Sequence, residues 1–227
     1  MNKNSADILN LLSKLTFRRF LNFGKVIAGY YLSRLTGKAA VFGLPFSVSI
    51  EPTTSCNLRC PECPSGLRSF SRPTGMLQNR LHNSVIDQLY KDSLYVIFYF
   101  QGEPYLNPDF LQMVNYAHSK KMYTATSTNA HYLNDDFAKK TVESGLDRLI
   151  ISIDGTTQEV YEQYRIGGQL SKVIEGTKNI VKWKKELKSK TPYVVFQFLV
   201  VAPNEHQIQD ARNLAKELGV DDIAFKT

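Results

Sequence analysis

Three cysteines, Cys56, Cys60 and Cys63, fall within the run Cys56-Asn57-Leu58-Arg59-Cys60-Pro61-Glu62-Cys63, and the chain contains no other. Thiolates this close together can converge on one small inorganic object. Three of them cannot close a tetrahedral zinc site or satisfy all four irons of a cubane cluster, so a site built on them keeps a coordination position open. Pro61 and Pro64 stiffen the loop, and Asn57 can make local backbone bonds that hold its shape. Two other readings stay open on these residues alone. Zinc would need a fourth ligand, for which His82 is the nearest candidate, and three buried free thiols would need no ligand role.

The elements around the cysteines are those of a parallel α/β fold. Apolar, β-branched or aromatic runs at 46–50, 94–100, 123–126, 148–153, 193–201 and 222–225 alternate with amphipathic stretches at 81–90, 109–120, 136–144, 170–188 and 206–218. Asn107-Pro108 places a proline at a helix first turn, Asn134-Asp135-Asp136 supplies an acidic cap, and Gly145 and Gly219 fall where a helix should stop. Strand–helix alternation with short links implies parallel strands joined by right-handed crossovers, and nearly unbroken apolar runs such as Tyr95-Val96-Ile97-Phe98-Tyr99-Phe100 fit a sheet covered on both faces. The expected fold is α/β, a partial (β/α)6 TIM-like barrel over 43–227 behind an N-terminal helical extension over 1–42. Six strands are countable and the last runs into Thr227, which reads as a truncated product or a domain boundary.

Such a barrel gathers its functional residues at the carboxyl ends of its strands. The cysteine run follows the first strand. The second ends in Gln101-Gly102-Glu103-Pro104, the third in Ser127-Thr128-Asn129 and the fourth in Ser152-Ile153-Asp154-Gly155. One polar strand end is a turn; four in succession on one rim make a site.

Size and charge narrow the class. The 227 residues, 43% hydrophobic and 22% charged, suit one globular domain with an appendage. The formal net charge is +7, yet residues 1–38 alone carry Lys3, Lys14, Arg18, Arg19, Lys25, Arg34 and Lys38 against Asp7. The remainder is close to neutral, which removes most of the case for a nucleic-acid partner. An odd number of cysteines makes a poor disulfide framework and fits a reducing cytoplasm, and no signal peptide is visible. The first 40 residues read as one or two basic amphipathic helices with Ile8, Leu11, Leu12 and Leu15 at helical spacing. Their longest uncharged apolar stretch, 26–33, is far short of the roughly 20 residues that span a bilayer. The segment either packs on the barrel or docks at a membrane surface as a peripheral contact through residues 1–38.

With C-x3-C-x2-C after the first strand, Gly102-Glu103-Pro104 after the second and Ser152-x-Asp154-Gly155 after the fourth, residues 46–227 resemble the core of the radical S-adenosylmethionine superfamily. The run from Cys56 to Pro64, with residues 161–168 and 196–225, is most similar to the branch whose cores precede a SPASM or twitch extension. The resemblance implies that Cys56, Cys60 and Cys63 hold three irons of a [4Fe–4S] cluster and that S-adenosylmethionine chelates the fourth. It assigns Gly102, Glu103 and Pro104 to the methionyl amino group, with Ser127 and Asn129 as further contacts. Ser152 and Asp154 fall near the ribose, Arg165 beside the carboxylate, and the backbone near Val200 and Val201 along the adenine. Arg165 read on its own is equally a solvated helix charge. Two positions depart from the family pattern: Glu62 replaces an aromatic before the third cysteine, and Gln101 replaces the first glycine of Gly-Gly-Glu-Pro.

The activity so implied is reductive cleavage of S-adenosylmethionine to a 5′-deoxyadenosyl radical that abstracts hydrogen from a substrate, with a flavodoxin- or ferredoxin-like protein as low-potential electron donor. The family points modestly toward a peptide or protein substrate. The competing reading is a non-catalytic zinc or iron–sulfur module that scaffolds a partner at a membrane surface. His82, His118, His131 and His206 read as surface histidines.

Overall fold

A computed structural model describes residues 3–227, so residues 1 and 2 of the expected extension lie outside the described residues. Two helices, α1 (Lys3–Ser13) and α2 (Phe17–Thr36), precede the barrel. All six expected strands form: β1 (Ser47–Ser49), β2 (Tyr95–Ile97), β3 (Tyr123–Thr128), β4 (Arg148–Ser152), β5 (Tyr193–Leu199) and β6 (Asp222–Lys226). They make one sheet in sequence order, every pairing parallel. The crossovers carry α4 (Asn79–Leu89), α5 (Phe110–Ser119), α6 (Asp135–Glu143), α7 (Gln158–Tyr164), α8 (Leu170–Glu186) and α9 (Ile208–Leu218), while the four-residue α3 (Pro64–Leu67) lies in the cysteine loop.

The caps follow the sequence with one exception. Asn134 accepts a hydrogen bond from the Phe137 amide at the start of α6, and Gly219 ends α9 in the left-handed region. Pro108 lies ahead of α5, whose N-cap is Asp109. The Asn107 side chain bonds the Asp109 amide there and makes the turn that the proline was expected to make. The run 94–100 is strand over Tyr95–Ile97; the Phe98 amide still donates to the Ala125 carbonyl, and Tyr99 and Phe100 reach the strand-end rim. Helix α7 went unforeseen because its seven residues show too little periodicity.

Alternation along the strands sorts two sets of side chains. Val96, Leu149, Ile151, Val194 and Phe196 point outward beneath the helices and are fully buried against residues such as Ile86, Met113, Val173 and Ile180. Burial of each such side chain contributes roughly 1.5–3 kcal/mol. The other set lines the barrel. Near the strand starts it is aromatic and charged: Tyr95 and Tyr123 stack at 4.9 Å, and the Arg148 guanidinium sits 5.5 Å over the Tyr193 ring. At the strand ends it becomes Tyr99, Ser127, Ser152 and Gln197.

Helices α1 and α2 close the end of the barrel where the strands begin. Asp7 accepts from the Tyr123 hydroxyl at 2.5 Å and pairs with Arg148 at 2.5 Å, and Asn10 donates to Asp147 at 2.8 Å. Arg19 is buried. Its guanidinium donates to the carbonyls of Lys14, Tyr90, Lys120 and Lys121 at 2.5–3.2 Å, which leaves little hydrogen-bonding capacity unused. The extension is therefore packed on the barrel, but through its polar residues. Of the apolar residues at helical spacing, Ile8, Leu12 and Leu15 are exposed and Leu11 is half-buried.

Candidate active site

The rim at the strand ends surrounds a cavity of about 240 Å³ lined by all three cysteines and by residues from β2 through β5. Cys56, Cys60 and Cys63 are free thiols on one side of it. The loop that carries them is wound tightly. Cys63 caps α3, whose first residue is Pro64, and a Cβ on Gly66 would come within 2.4 Å of the Cys60 carbonyl, so only glycine lets the chain fold back over Cys60. Asn57 acts differently from the local role expected of it: its side-chain oxygen accepts from the Asn129 amide at 2.8 Å, which ties the cysteine loop to the end of β3.

Hydrogen-bond donors surround the sulfurs. Asn129 Nδ2 lies 4.0 Å and the Leu58 amide 3.4 Å from Cys56 Sγ, and Arg165 Nη1 lies 3.8 Å from Cys60 Sγ. Burial pushes the Cys56 thiol up to about 11 and raises that of Cys60, although Arg165 works against the latter. Loading a metal here must displace protons. The chemistry of the donor set fits an iron–sulfur cluster: three soft ligands line one cavity, and N–H groups face the sulfurs of Cys56 and Cys60. Zinc loses its fourth ligand. His82 is not at the surface as expected; it is buried on α4 against Phe98 and Tyr116, and it does not line the cavity. Among the described residues no group of three or more His, Cys, Asp and Glu side chains is arranged to hold a metal ion as it stands.

Of the eight residues expected to hold the second cofactor, six line the cavity: Gly102, Glu103, Ser127, Asn129, Ser152 and Arg165. Gly102 has φ +76°, and a Cβ there would lie 2.2 Å from the Thr53 carbonyl, so the second strand can reach the cysteine loop only through glycine. Glu103 is buried. It accepts from the Thr128 hydroxyl at 2.7 Å and from the backbone amides of Asn129 (2.8 Å) and Tyr105 (3.3 Å). Burial nonetheless pushes its carboxyl up to about 7. Glu103 thus braces the ends of β2 and β3 while presenting an acid to the cavity. Ser127 and Ser152 face each other with their hydroxyls 3.5 Å apart.

Pro104 and Asp154 do not line the cavity. Pro104 is buried in the short 3-10 turn Pro104–Leu106, which Glu103 caps. Asp154 accepts from Arg165 Nε at 2.5 Å and from the Leu199 amide at 2.8 Å. Burial opposes the charge on Arg165, but Asp154 and Cys60 outweigh it, so the guanidinium is held charged. Arg165 is therefore a buried, oriented cation rather than a solvated helix charge. Ser65, Tyr99, Gln197 and Leu199 were missed. Gln197 was findable by counting alternate residues from Tyr193, and Leu199 lines the wall where Val200 and Val201 were expected. Ser65 lies outside the cavity lining, but its hydroxyl accepts from the Gly102 amide at 2.9 Å, a link across 37 residues that no local pattern marks. Gln101 has its side-chain oxygen 3.4 Å from Cys63 Sγ, while Glu62 is exposed.

The sequence pattern of the radical SAM superfamily matches residues 50–218. The chain belongs to that superfamily. Radical SAM proteins use a [4Fe–4S] cluster with S-adenosylmethionine, and this chain's likeness runs to the SPASM-type branch. It is 31% identical over 136 residues to the mycofactocin maturase MftC of Mycobacterium ulcerans, covering 60% of this chain and 36% of that protein. It is 26% identical over 185 residues to the PqqA peptide cyclase of Rhodopseudomonas palustris, covering 81% of this chain and 47% of that one. The fold matches the crystal structure of Streptococcus suis SuiB bound to S-adenosylmethionine with a TM-score of 0.68 at 14% identity, over 88% of this chain and 44% of that one. This radical SAM chain spans less than half the length of these two curated relatives.

Proposed function

We propose that this chain is the catalytic core of a radical SAM enzyme that modifies a peptide or protein. The observation that carries the reading is that all three cysteines line one strand-end cavity together with Gly102, Glu103, Ser127, Asn129, Ser152 and Arg165. When bound, the reduced cluster and S-adenosylmethionine supply a 5′-deoxyadenosyl radical able to abstract hydrogen from a substrate. The protein's part is positioning. Cys56, Cys60 and Cys63 would hold three irons and leave one free for the cosubstrate. Arg165, fixed by Asp154, would pair with its carboxylate, since a guanidinium presents a planar fork to a planar anion. Glu103 and the Gly102 backbone would meet its amino group, Ser127 and Asn129 would add contacts, and Ser152 would reach the ribose. Pro104 and Asp154 serve through the shape they impose.

The electron donor is a low-potential flavodoxin- or ferredoxin-like protein, and the peptide class rests on relatives such as the PqqA peptide cyclase. The same reading places the protein in the cytoplasm, with the basic N-terminal helices in contact with a membrane surface. No helix among the described residues is long and apolar enough to cross a membrane.

Anaerobic reconstitution with iron and sulfide tests the core of this. The expected result is a brown protein with iron–sulfur absorption that turns S-adenosylmethionine over to 5′-deoxyadenosine when dithionite is added. A folded sample that binds zinc, fails to assemble a cluster and ignores S-adenosylmethionine would overturn it in favour of a binding module.

A further inference from the structure

Helix α2 is amphipathic in the reverse of the usual sense. At 3.6 residues per turn, Arg19, Asn22, Val26, Gly29 and Ser33 share the face turned to the protein. Of these, Arg19, Asn22 and Gly29 are buried. Asn22 donates to the carbonyls of Leu44 and Asp92, and the segment after the helix folds back so that the Ala40 carbonyl sits against Gly29. The opposite face is Phe17, Phe20, Leu21, Gly24, Ala28, Tyr31 and Leu35, with no polar side chain except the Tyr31 hydroxyl. Phe17 is 77% and Leu35 84% exposed. A contiguous apolar face of this size directed at water marks a contact surface.

Its surroundings identify the contact. Lys25 lies along one flank of the apolar arc and Arg34 along the other, with Lys38 just past the C-cap. No acidic residue occurs between Asp7 and Glu51, so no carboxylate in the segment offsets these charges. The apolar face is the convex side of a single helix about 30 Å long, a ridge and not a groove. Aromatic and aliphatic side chains on a ridge, with cations along its borders, match the boundary between acyl chains and anionic headgroups.

We propose that α2 is an interfacial membrane helix that lies flat on an anionic bilayer through Phe17, Phe20, Leu21, Tyr31 and Leu35. This rests on the membrane-contact reading above and adds the face, the lipid chemistry and the orientation. Because α1 and α2 cap the barrel where the strands begin, docking turns the strand-end cavity away from the bilayer. The site is then open to a substrate arriving from the aqueous side while the enzyme stays at the surface.

Vesicle co-sedimentation of the whole chain tests this, with phosphatidylcholine alone and with phosphatidylglycerol added. Binding to the mixed vesicles is expected, weakened by raising the salt and much weaker on phosphatidylcholine alone. Phe17→Ser with Phe20→Ser should reduce binding by at least about tenfold, since two large side chains no longer enter the interface. Lys25→Glu with Lys38→Glu should cost about fivefold per charge or more. These positions carry no core packing, and S-adenosylmethionine cleavage by the variants in solution should match the parent. Vesicle binding that both double variants retain would leave a membrane contact but overturn its placement on α2. No binding to either vesicle, with a dimer that Phe20→Ser dissociates in sedimentation equilibrium, would make the face an interface between copies. Equal binding to neutral and anionic vesicles would overturn the role of charge. None of these outcomes bears on cluster assembly or turnover, so the catalytic reading stands or falls separately.

Discussion

The two ends of this barrel use the same strands and opposite chemistry. At the strand starts, polar groups are consumed: Arg19 spreads its guanidinium over four carbonyls, and Asp7 is shared between Tyr123 and Arg148. At the strand ends, the sulfurs, serine hydroxyls and Arg165 line a cavity, held in place by a few bonds such as Arg165 to Asp154 and Ser127 to Ser152. Buried polar groups that satisfy each other hold a structure together, whereas those arranged around open space await a ligand. Net charge alone would have pointed to the wrong end, because the basic residues cluster at the strand starts and the chemistry lies at the strand ends.

This contrast breaks most visibly at Cys60. Cys60→Ala should abolish cluster assembly and 5′-deoxyadenosine formation, while the thermal midpoint moves by only a few degrees; a large fall in the midpoint would mean that this end is also structural. Arg165→Ala comes next. It should leave Asp154 buried without its partner and lower stability by about 3 kcal/mol, besides weakening S-adenosylmethionine binding. Arg165→Lys should restore more of the stability than of the binding, because an ammonium lacks the fork. At the other end, Arg19→Ala should cost roughly 3 kcal/mol in urea unfolding by stranding buried carbonyls, yet leave turnover per folded molecule unchanged. A loss of turnover without a loss of stability would overturn the division of labour.

The smallest effect concerns the Arg18–Asp92 pair at the strand starts. The Arg18 hydrogen bond lowers the Asp92 pKa. A depressed carboxylate contributes stability above its unfolded pKa of about 4 and loses it as pH falls through the folded value. Arg18 is exposed, so solvent screens the pair and the contribution is small. Arg18→Gln should flatten that acid-side decline in stability and change nothing at the cavity.

How far the sequence reached differs between the two ends in the same way. The three cysteines, Gly102, Glu103 and Asn129 stand in short runs just after strands, where position along the chain dictates position on the rim. The Asn57–Asn129 and Ser65–Gly102 links join loops far apart in sequence, and nothing local marks them. Asp154 was visible as a strand-end acid, but its use as an anchor for Arg165 depends on the approach of α7. The helical spacing of Ile8, Leu11, Leu12 and Leu15 gave the helix and left open which face is buried. Periodicity reports that two faces differ, and only the partner decides which one is covered.

The sequence by itself determined six parallel strands, the helices between them, a three-thiol ligand set one short of closure, and a basic segment set apart from a nearly neutral domain. Each is local: alternation, capping and motif spacing act within one element and its neighbours. Tertiary structure decided which polar groups spend their hydrogen bonds on one another and which are left facing a cavity. It also decided that α2 turns its polar side inward and its apolar side out. Those outcomes depend on what each side chain meets across the fold, because an Arg or a Phe carries the same chemistry in either place and only its neighbours determine whether that chemistry is already satisfied.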